Sequence, residues 1–239
     1  MQILGYEVKE AYPDFPVSQT KVINTINPHS YCVAKKDSYF REALQASDLL
    51  IPDGTGIVWA SQVLEGKKIR RITGDDMHKY LLNQAQRHGL KVFYMGASVE
   101  TLNKIEERIQ KDYTAIQINS YSPPYKASFS KDDNSKMREA INTYQPDILF
   151  VGMTAPKQEK WVHQNKEVID AKIICSIGAV FDFYAGTVKR PGLFWQKIGL
   201  EWLPRFLKEP RRLARRNFIS TPVFIFDVLK AKIFGTNNL

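Results

Sequence analysis

DILFVGMTAPKQEKW (147–161) decides the fold. DILFVGM (147–153) is a short apolar run that ends in a glycine. TAPKQEKW then opens a helical pattern, with Pro156 suited to a first helical turn. A short apolar run that turns at a glycine into an amphipathic helix is one half of a βαβ unit. The same unit recurs on both sides. The other runs are KVINTI (21–26), DLLI (48–51), KVFYM (91–95), AIQIN (115–119) and KIICSI (172–177). Amphipathic stretches lie near 31–46, 55–65, 76–88, 98–112, 132–144 and 157–168. The runs are apolar on both faces, as a sheet covered by helices on both sides requires. The expectation is an α/β fold, with a mainly parallel Rossmann-like sheet flanked by helices. YSPPYKASFSKDDN (121–134) reads as a surface loop, given its paired prolines.

The alternation stops near Thr187–Gly192. From Lys189 to Leu239 the chain carries eleven Lys and Arg against three acids, a net +8 out of a total of +9. The preceding 188 residues are almost neutral. This split predicts an α/β core over 1–188 and a basic, amphipathic helical appendage over 189–239. Truncation near Thr187 is expected to leave a folded core. Pro210 is expected to separate one helix, from about Trp195 to Lys208, from another starting at Arg211. Arg212, Arg215 and Arg216 fall within a turn of one another. Basic charge interleaved with Trp, Phe and Leu suits an anionic membrane surface, and would also suit RNA or a diphosphate. Exposed apolar residues in such a tail would favour self-association into a homo-oligomer. The N-terminus, MQILGYEVKE, has no basic stretch followed by an apolar one, so no signal peptide is expected. The nearest approach to a membrane span, FISTPVFIFDVL (218–229), is short and contains Pro222 and Asp227. Cys32 and Cys175 lie among apolar neighbours and fit a reducing compartment.

Four motifs could carry chemistry. IPDGTG (51–56) places Asp53 at a strand end in a glycine-flanked loop. That carboxylate could be a general base, a ribose acceptor or a metal ligand, or it could only cap a turn. TINPHS (25–30) brings Thr25 and Asn27 to the same edge, where Asn-Pro is also a common turn opening. GMTAPKQEKW (152–161) puts Gln158 and Glu159 near a helix N-terminus, which favours an anion or is merely capped. IGAVFDFYAG (177–186) carries Asp182, either a buried anchor or a ligand group. There is no P-loop, no GxGxxG and no serine nucleophile elbow. Asp75-Asp76 begins a helix and Asp132-Asp133 sits in a polar loop. Neither suits a metal-nucleotide site, and no metal is expected.

As an ordered set, these pieces resemble the WecG/TagA/CpsF glycosyltransferases, glycosyltransferase family 26. The resemblance runs from TINPHS through ASDLLIPDGTGIVWA (46–60), RITGDD (71–76), VFYMGAS (92–98) and DILFVGMTAPKQEKW to IGAVFDFYAGTVKRP (177–191) and EWLPRFLKEPRRLARR (201–216). It implies an inverting, metal-independent enzyme with no cofactor. Such an enzyme moves an N-acetylmannosamine-type sugar (ManNAc or its uronic acid) from a UDP donor to a polyprenyl-diphosphate-linked sugar. The product feeds cell-surface polysaccharide or teichoic acid synthesis. The resemblance also implies a cytoplasmic protein, peripheral on the inner face of the membrane. It makes Asp53 the general base and puts Thr25, Asn27 and Arg71 in the same pocket. Gln158 falls in a PxQE element, and Arg205, Arg212 and Arg215 match arginines that engage a diphosphate. Pro204 and His29 depart from the family's common pattern. A nucleotide-sugar transferase with a soluble acceptor and a non-catalytic RNA-binding protein are the competing readings. RNA binding is disfavoured because the tail's aromatics share helical segments with Leu and Ile.

Overall fold

Six of the apolar runs are strands of a single parallel sheet in the computed structural model, which describes residues 1–188, 206–207, 210 and 214–235. In chain order the elements are β1 (Gln2–Ile3), β2 (Tyr6–Glu7), β3 (Lys21–Ile26), α1 (Pro28–Ala34), α2 (Ser38–Gln45), β4 (Leu49–Pro52) and α3 (Thr55–Glu65). They continue with α4 (Gly74–His88), β5 (Lys91–Gly96), α5 (Val99–Asp112), β6 (Gln117–Tyr121), α6 (Lys131–Tyr144), β7 (Ile148–Gly152), α7 (Lys157–Asn165), β8 (Ile173–Ser176) and α8 (Val180–Ala185). A π-helical turn, Arg215–Ser220, leads into α9 (Thr221–Phe234). The strand order is β4-β3-β8-β7-β5-β6. Every pairing in it is parallel, as the doubly apolar runs require.

Alternate residues of each strand feed opposite layers. Ile23, Ile51, Tyr94, Phe150 and Cys175 pack with α4, α5 and α8. Val22, Phe93, Leu149, Val151 and Ile174 pack with α6 and α7. A third core lies beyond the β4 edge, where Ile26 and Leu50 meet α1, α2, α3, the N-terminal strands and α9. β1 and β2 form a hairpin that the sequence reading did not expect. Its turn places Leu4 and Gly5 at positive φ, +49° and +83°, as a tight two-residue turn needs.

Two local expectations are corrected. The 31–46 stretch is two helices, α1 and α2, because Asp37 accepts the amide of Phe40 and starts a new helix. The loop after β6 ends at Ser130, and Asp132-Asp133 lies in the first turn of α6 rather than in a loop. Ser130 and Asp133 form a reciprocal capping box there, and Lys126 pairs with Asp133.

The expected boundary at 188–189 falls at the edge of the described chain. Beyond it, α9 is seated on the body. Phe224 and Val228 are fully buried against α1 and α3. Asp227, also buried, accepts from Tyr31 Oη at 3.0 Å and from Lys35 Nζ at 2.7 Å. Just upstream, His29 Nδ1 lies 2.9 Å from Ser220 Oγ, and Cys32 Sγ donates to the Ser220 carbonyl. No helix among the described residues is long and apolar enough to cross a membrane.

Candidate active site

In a parallel sheet the carboxyl ends of the strands share one edge, where ligands collect. Thr25 pairs in register with Ile51, and Ile26 with Pro52. The next residues on each strand are therefore neighbours, and the Asp53 amide donates to the Ile26 carbonyl at 2.9 Å. Glycine at 54 takes φ +109°, a conformation that other residues rarely adopt. That turn carries the chain from Asp53 into α3 and leaves the first amides of α3 without a side-chain cap. Asp53 is half-buried.

Asn27 caps α1 from the adjacent strand end. Its Oδ1 accepts the amides of His29 and Ser30, each at 3.0 Å. With that oxygen occupied, the Asn27 NH₂ is the part suited to donate to a ligand. Thr25 is half-buried one strand step behind, on the face shared with Ile23. The Ile72 amide donates to the Pro52 carbonyl at 3.0 Å, which brings Arg71 to the same corner. Thr25, Asn27, Asp53 and Arg71 are thus gathered by two adjacent strand ends.

Gln158 lies across the edge, at the ends of β7 and β8. Two strand spacings separate it from β3, about 10 Å. Its side chain is buried and held at both ends. Oε1 accepts the Met153 amide at 3.1 Å, and Nε2 donates to Glu159 Oε1 at 2.9 Å. A side chain at Gly178 would meet that amide at 3.5 Å. Gly152 and Gly96 allow the closest approaches on this edge. A Cβ at 152 would lie 2.4 Å from the Phe181 ring, and one at 96 would lie 2.2 Å from the Gly152 carbonyl oxygen. Asp182 is an anchor of the local chain: its backbone carbonyl accepts from Thr187 Oγ1 at 3.1 Å and from the Val188 amide at 3.2 Å.

Arg205 and Arg212 lie outside the described residues. Arg215 begins the π-helical turn, and only its backbone is described. That turn ends at Ser220, which bonds His29 in the first turn of α1, two residues from Asn27. Among the described residues no group of three or more His, Cys, Asp or Glu is arranged to hold a metal ion. The acid pairs are engaged in other ways. Asp76 accepts from the amide and hydroxyl of Thr73 at the start of α4, and Asp75 pairs with Lys79.

A family model for the glycosyl transferase WecG/TagA/CpsF family matches residues 7–238. The chain belongs to that family. Its strand-end cluster is therefore the candidate centre of a glycosyltransferase. Among curated relatives, the N-acetylglucosaminyldiphosphoundecaprenol N-acetyl-beta-D-mannosaminyltransferase of Bacillus subtilis (strain 168) is 31% identical over 209 residues, covering 87% of this chain and 79% of that protein. The protein of the same name from Staphylococcus aureus (strain MW2) is 28% identical over 210 residues, 88% of this chain and 80% of that one. The sequence reading put Gln158 in the pocket and gave Glu159, the last residue of the same PxQE element, no role there. Sequence reasoning also missed the docking of α9 on α1. Its signal was Asp227, a lone acid within an apolar row, which calls for a buried partner.

Proposed function

We propose that this glycosyltransferase moves an N-acetylmannosamine-type sugar from a UDP donor to a polyprenyl-diphosphate-linked N-acetylglucosamine. The observation that carries the reading is the convergence of Asp53, Thr25, Asn27 and Arg71 at two adjacent strand ends, in a family with relatives named as N-acetylglucosaminyldiphosphoundecaprenol N-acetyl-beta-D-mannosaminyltransferases. In this reading Asp53 takes the proton from the acceptor hydroxyl as its oxygen bonds to the anomeric carbon. The bond from that carbon to the diphosphate oxygen breaks, and UDP leaves with the electron pair. In-line attack inverts the anomeric centre. Asn27 and Thr25 orient the sugar through hydrogen bonds. Gln158 and Gly178 shape the far side of the groove. The uncapped first amides of α3 and the arginines at 71, 205, 212 and 215 stabilise the leaving diphosphate, with no metal required.

The lipid-linked acceptor sets the location. α9 buries one stripe and exposes another, made of Phe226, Leu229, Ile233 and Phe234 and continued at Phe218 and Ile219. An exposed apolar row on a segment of net charge +8 suits the surface of an anionic bilayer. We place the enzyme on the cytoplasmic face of the membrane, with 189–239 as its membrane- and diphosphate-binding part.

The test is to incubate the protein with UDP-ManNAc and a synthetic lipid-diphosphate-GlcNAc, with and without excess EDTA, and read products by mass. A disaccharide lipid in both samples is expected. Transfer only from another nucleotide sugar would overturn the donor assignment. Loss with EDTA and rescue by Mg²⁺ would overturn the metal-free mechanism.

A further inference from the structure

Glu159 is a buried carboxyl that the reaction scheme does not use. It is 3% exposed and lies in the first turn of α7. One oxygen accepts from Gln158, and the other, Oε2, has no partner. Of the other buried oxygens without a partner, Ser176 Oγ and Asn24 Oδ1 lie on the central strands β8 and β3. Both strand residues face the layer beneath α2 and α7. Ile174 packs there two residues before Ser176, and Val22 two residues before Asn24. β3 and β8 run in register through Ile23 and Cys175, so Asn24 and Ser176 follow as neighbours. Around α7, Lys160 and His163 face α2 (pairing with Asp37 and contacting Tyr39), and Val162 faces the sheet. Helical spacing puts Glu159 between those two directions, over the strands that hold the other two oxygens. Three orphan oxygens on α7 and the two strands beneath it call for a shared proton or a bound water, because such groups are otherwise paired.

We propose that Glu159 is a positioning residue for the transfer reaction: through Gln158 it fixes the β7–α7 turn against Gly178, and through Oε2 and a buried water it ties that turn to Ser176 and Asn24. Both strands end at the candidate active site, one at Thr25–Asn27 and the other at Gly178. The role rests on the glycosyl-transfer reading of that edge. The tie is held by the neutral acid, whose Oε2 can donate to the water and which puts no charge in this buried layer. Burial raises the Glu159 pKa to about 7, against a smaller lowering by the Gln158 bond. The charged groups around it are occupied elsewhere. Asp37 and Lys160 pair with each other, Asp133 with Lys126, and Arg138 with Asn165. His163 packs on Tyr39, and the strand neighbours Ser176 and Asn24 are uncharged. Ionisation above pH 7 would place an unpaired charge in this layer and loosen the turn. The protonated form is the active one, so activity falls as pH rises through about 7.

The test compares wild type, E159Q and E159A by kcat and KM for the UDP-sugar donor from pH 5.5 to 9. A pH titration of the carboxylic-acid infrared band, without substrate, runs beside it. In wild type an alkaline limb near pH 7 is expected, together with an infrared band that disappears over the same range and is absent from E159Q. E159Q, which keeps one donor and one acceptor, should retain at least a third of kcat and lose the alkaline limb. E159A should lose at least thirtyfold in kcat/KM with its circular dichroism unchanged. Three results would each overturn the assignment: E159A within threefold of wild type, E159Q that keeps the alkaline limb, or no titrating band near pH 7. If E159A does not fold, the E159Q profile and the band decide alone. If no protein transfers sugar, the proposed function fails while the band still reports on Glu159.

Discussion

At the scale of single residues, Asp53 is the most direct test. Asp53→Asn keeps the shape of the side chain and the backbone bond from Asp53 to Ile26, so the fold should survive. Turnover should fall by roughly 10²- to 10⁴-fold, the usual contribution of general acid–base catalysis. Near-normal turnover at saturating acceptor would remove Asp53 as the base. Two buried titratable groups make a second prediction, about stability. His78 is fully buried, bonds Tyr94 Oη at 2.7 Å, and has its pKa lowered by burial to about 3. The unfolded chain takes up that proton first, so stability is lost as pH falls below about 6.5. Glu159 acts in the opposite sense. Its pKa is raised from 4.5 to about 7, so its ionisation removes stability as pH rises through that window. From pH 7 to 5 each effect is worth about 2 kcal/mol, and the two nearly cancel. Wild type should therefore show little change from these groups. E159Q should lose about 2 kcal/mol over the same range, read as a shift of the urea midpoint.

At the scale of elements, the junction between α1 and α9 is held by one buried carboxylate. Asp227 is 4% exposed and serves both Tyr31 and Lys35. Removing one partner of a buried pair is costly because the other is left behind. Here Lys35 is 40% exposed and can rehydrate, so the cost is moderated. Asp227→Ala should lower stability by about 2 kcal/mol, mainly through the unmet Tyr31 hydroxyl and the vacated space. Thermal melts of Asp227→Ala and Asp227→Asn would check this, with Asn the milder because it can still accept from Tyr31. A loss below about 0.5 kcal/mol in the alanine variant would show that apolar packing alone holds α9. The helix spacing explains the arrangement. Phe224, Asp227, Val228 and Ala231 fall on one stripe, and Lys232 and Ile233 lie outside it.

At the scale of the whole molecule, α9 belongs mechanically to the body. Ending the chain after Leu213 would strip Phe224 and Val228 from the core that Ile26, Tyr31 and Ile57 share. Those two side chains alone account for about 4 kcal/mol of burial. A fall in Tm of about 10 °C is expected for a chain of this size. An unchanged Tm would mean that α9 is only an appendage. The exposed row has a separate consequence. Phe226→Ser with Ile233→Ser should leave Tm within a few degrees, since both residues are more than 60% exposed. The pair should weaken sedimentation with anionic vesicles several-fold. Unchanged sedimentation would remove this row from the membrane-binding part.

Much of this was legible along the chain. Six apolar runs predicted six strands within a residue or two, because a strand buried on both faces must be apolar throughout. Asp53, Thr25 and Asn27 could be placed at one edge because parallel strands all end on the same side. The glycines at 54 and 152 marked strand ends that only a residue without a side chain fits easily, one at positive φ and the other against the Phe181 ring. What the chain alone could not decide was set by long-range packing. Nothing local to Ser220 or Asp227 names His29, Tyr31 and Lys35 as partners nearly two hundred residues away. Nor does PKQEK tell which carboxyl is buried, because Glu159 is 3% exposed only where α7 lies across β8 and against α2. Local pattern determined which segments are strands and helices and which side chains reach the ligand edge. Burial, and with it the raised pKa of Glu159 and the seating of α9, was decided by which elements the sheet brings together.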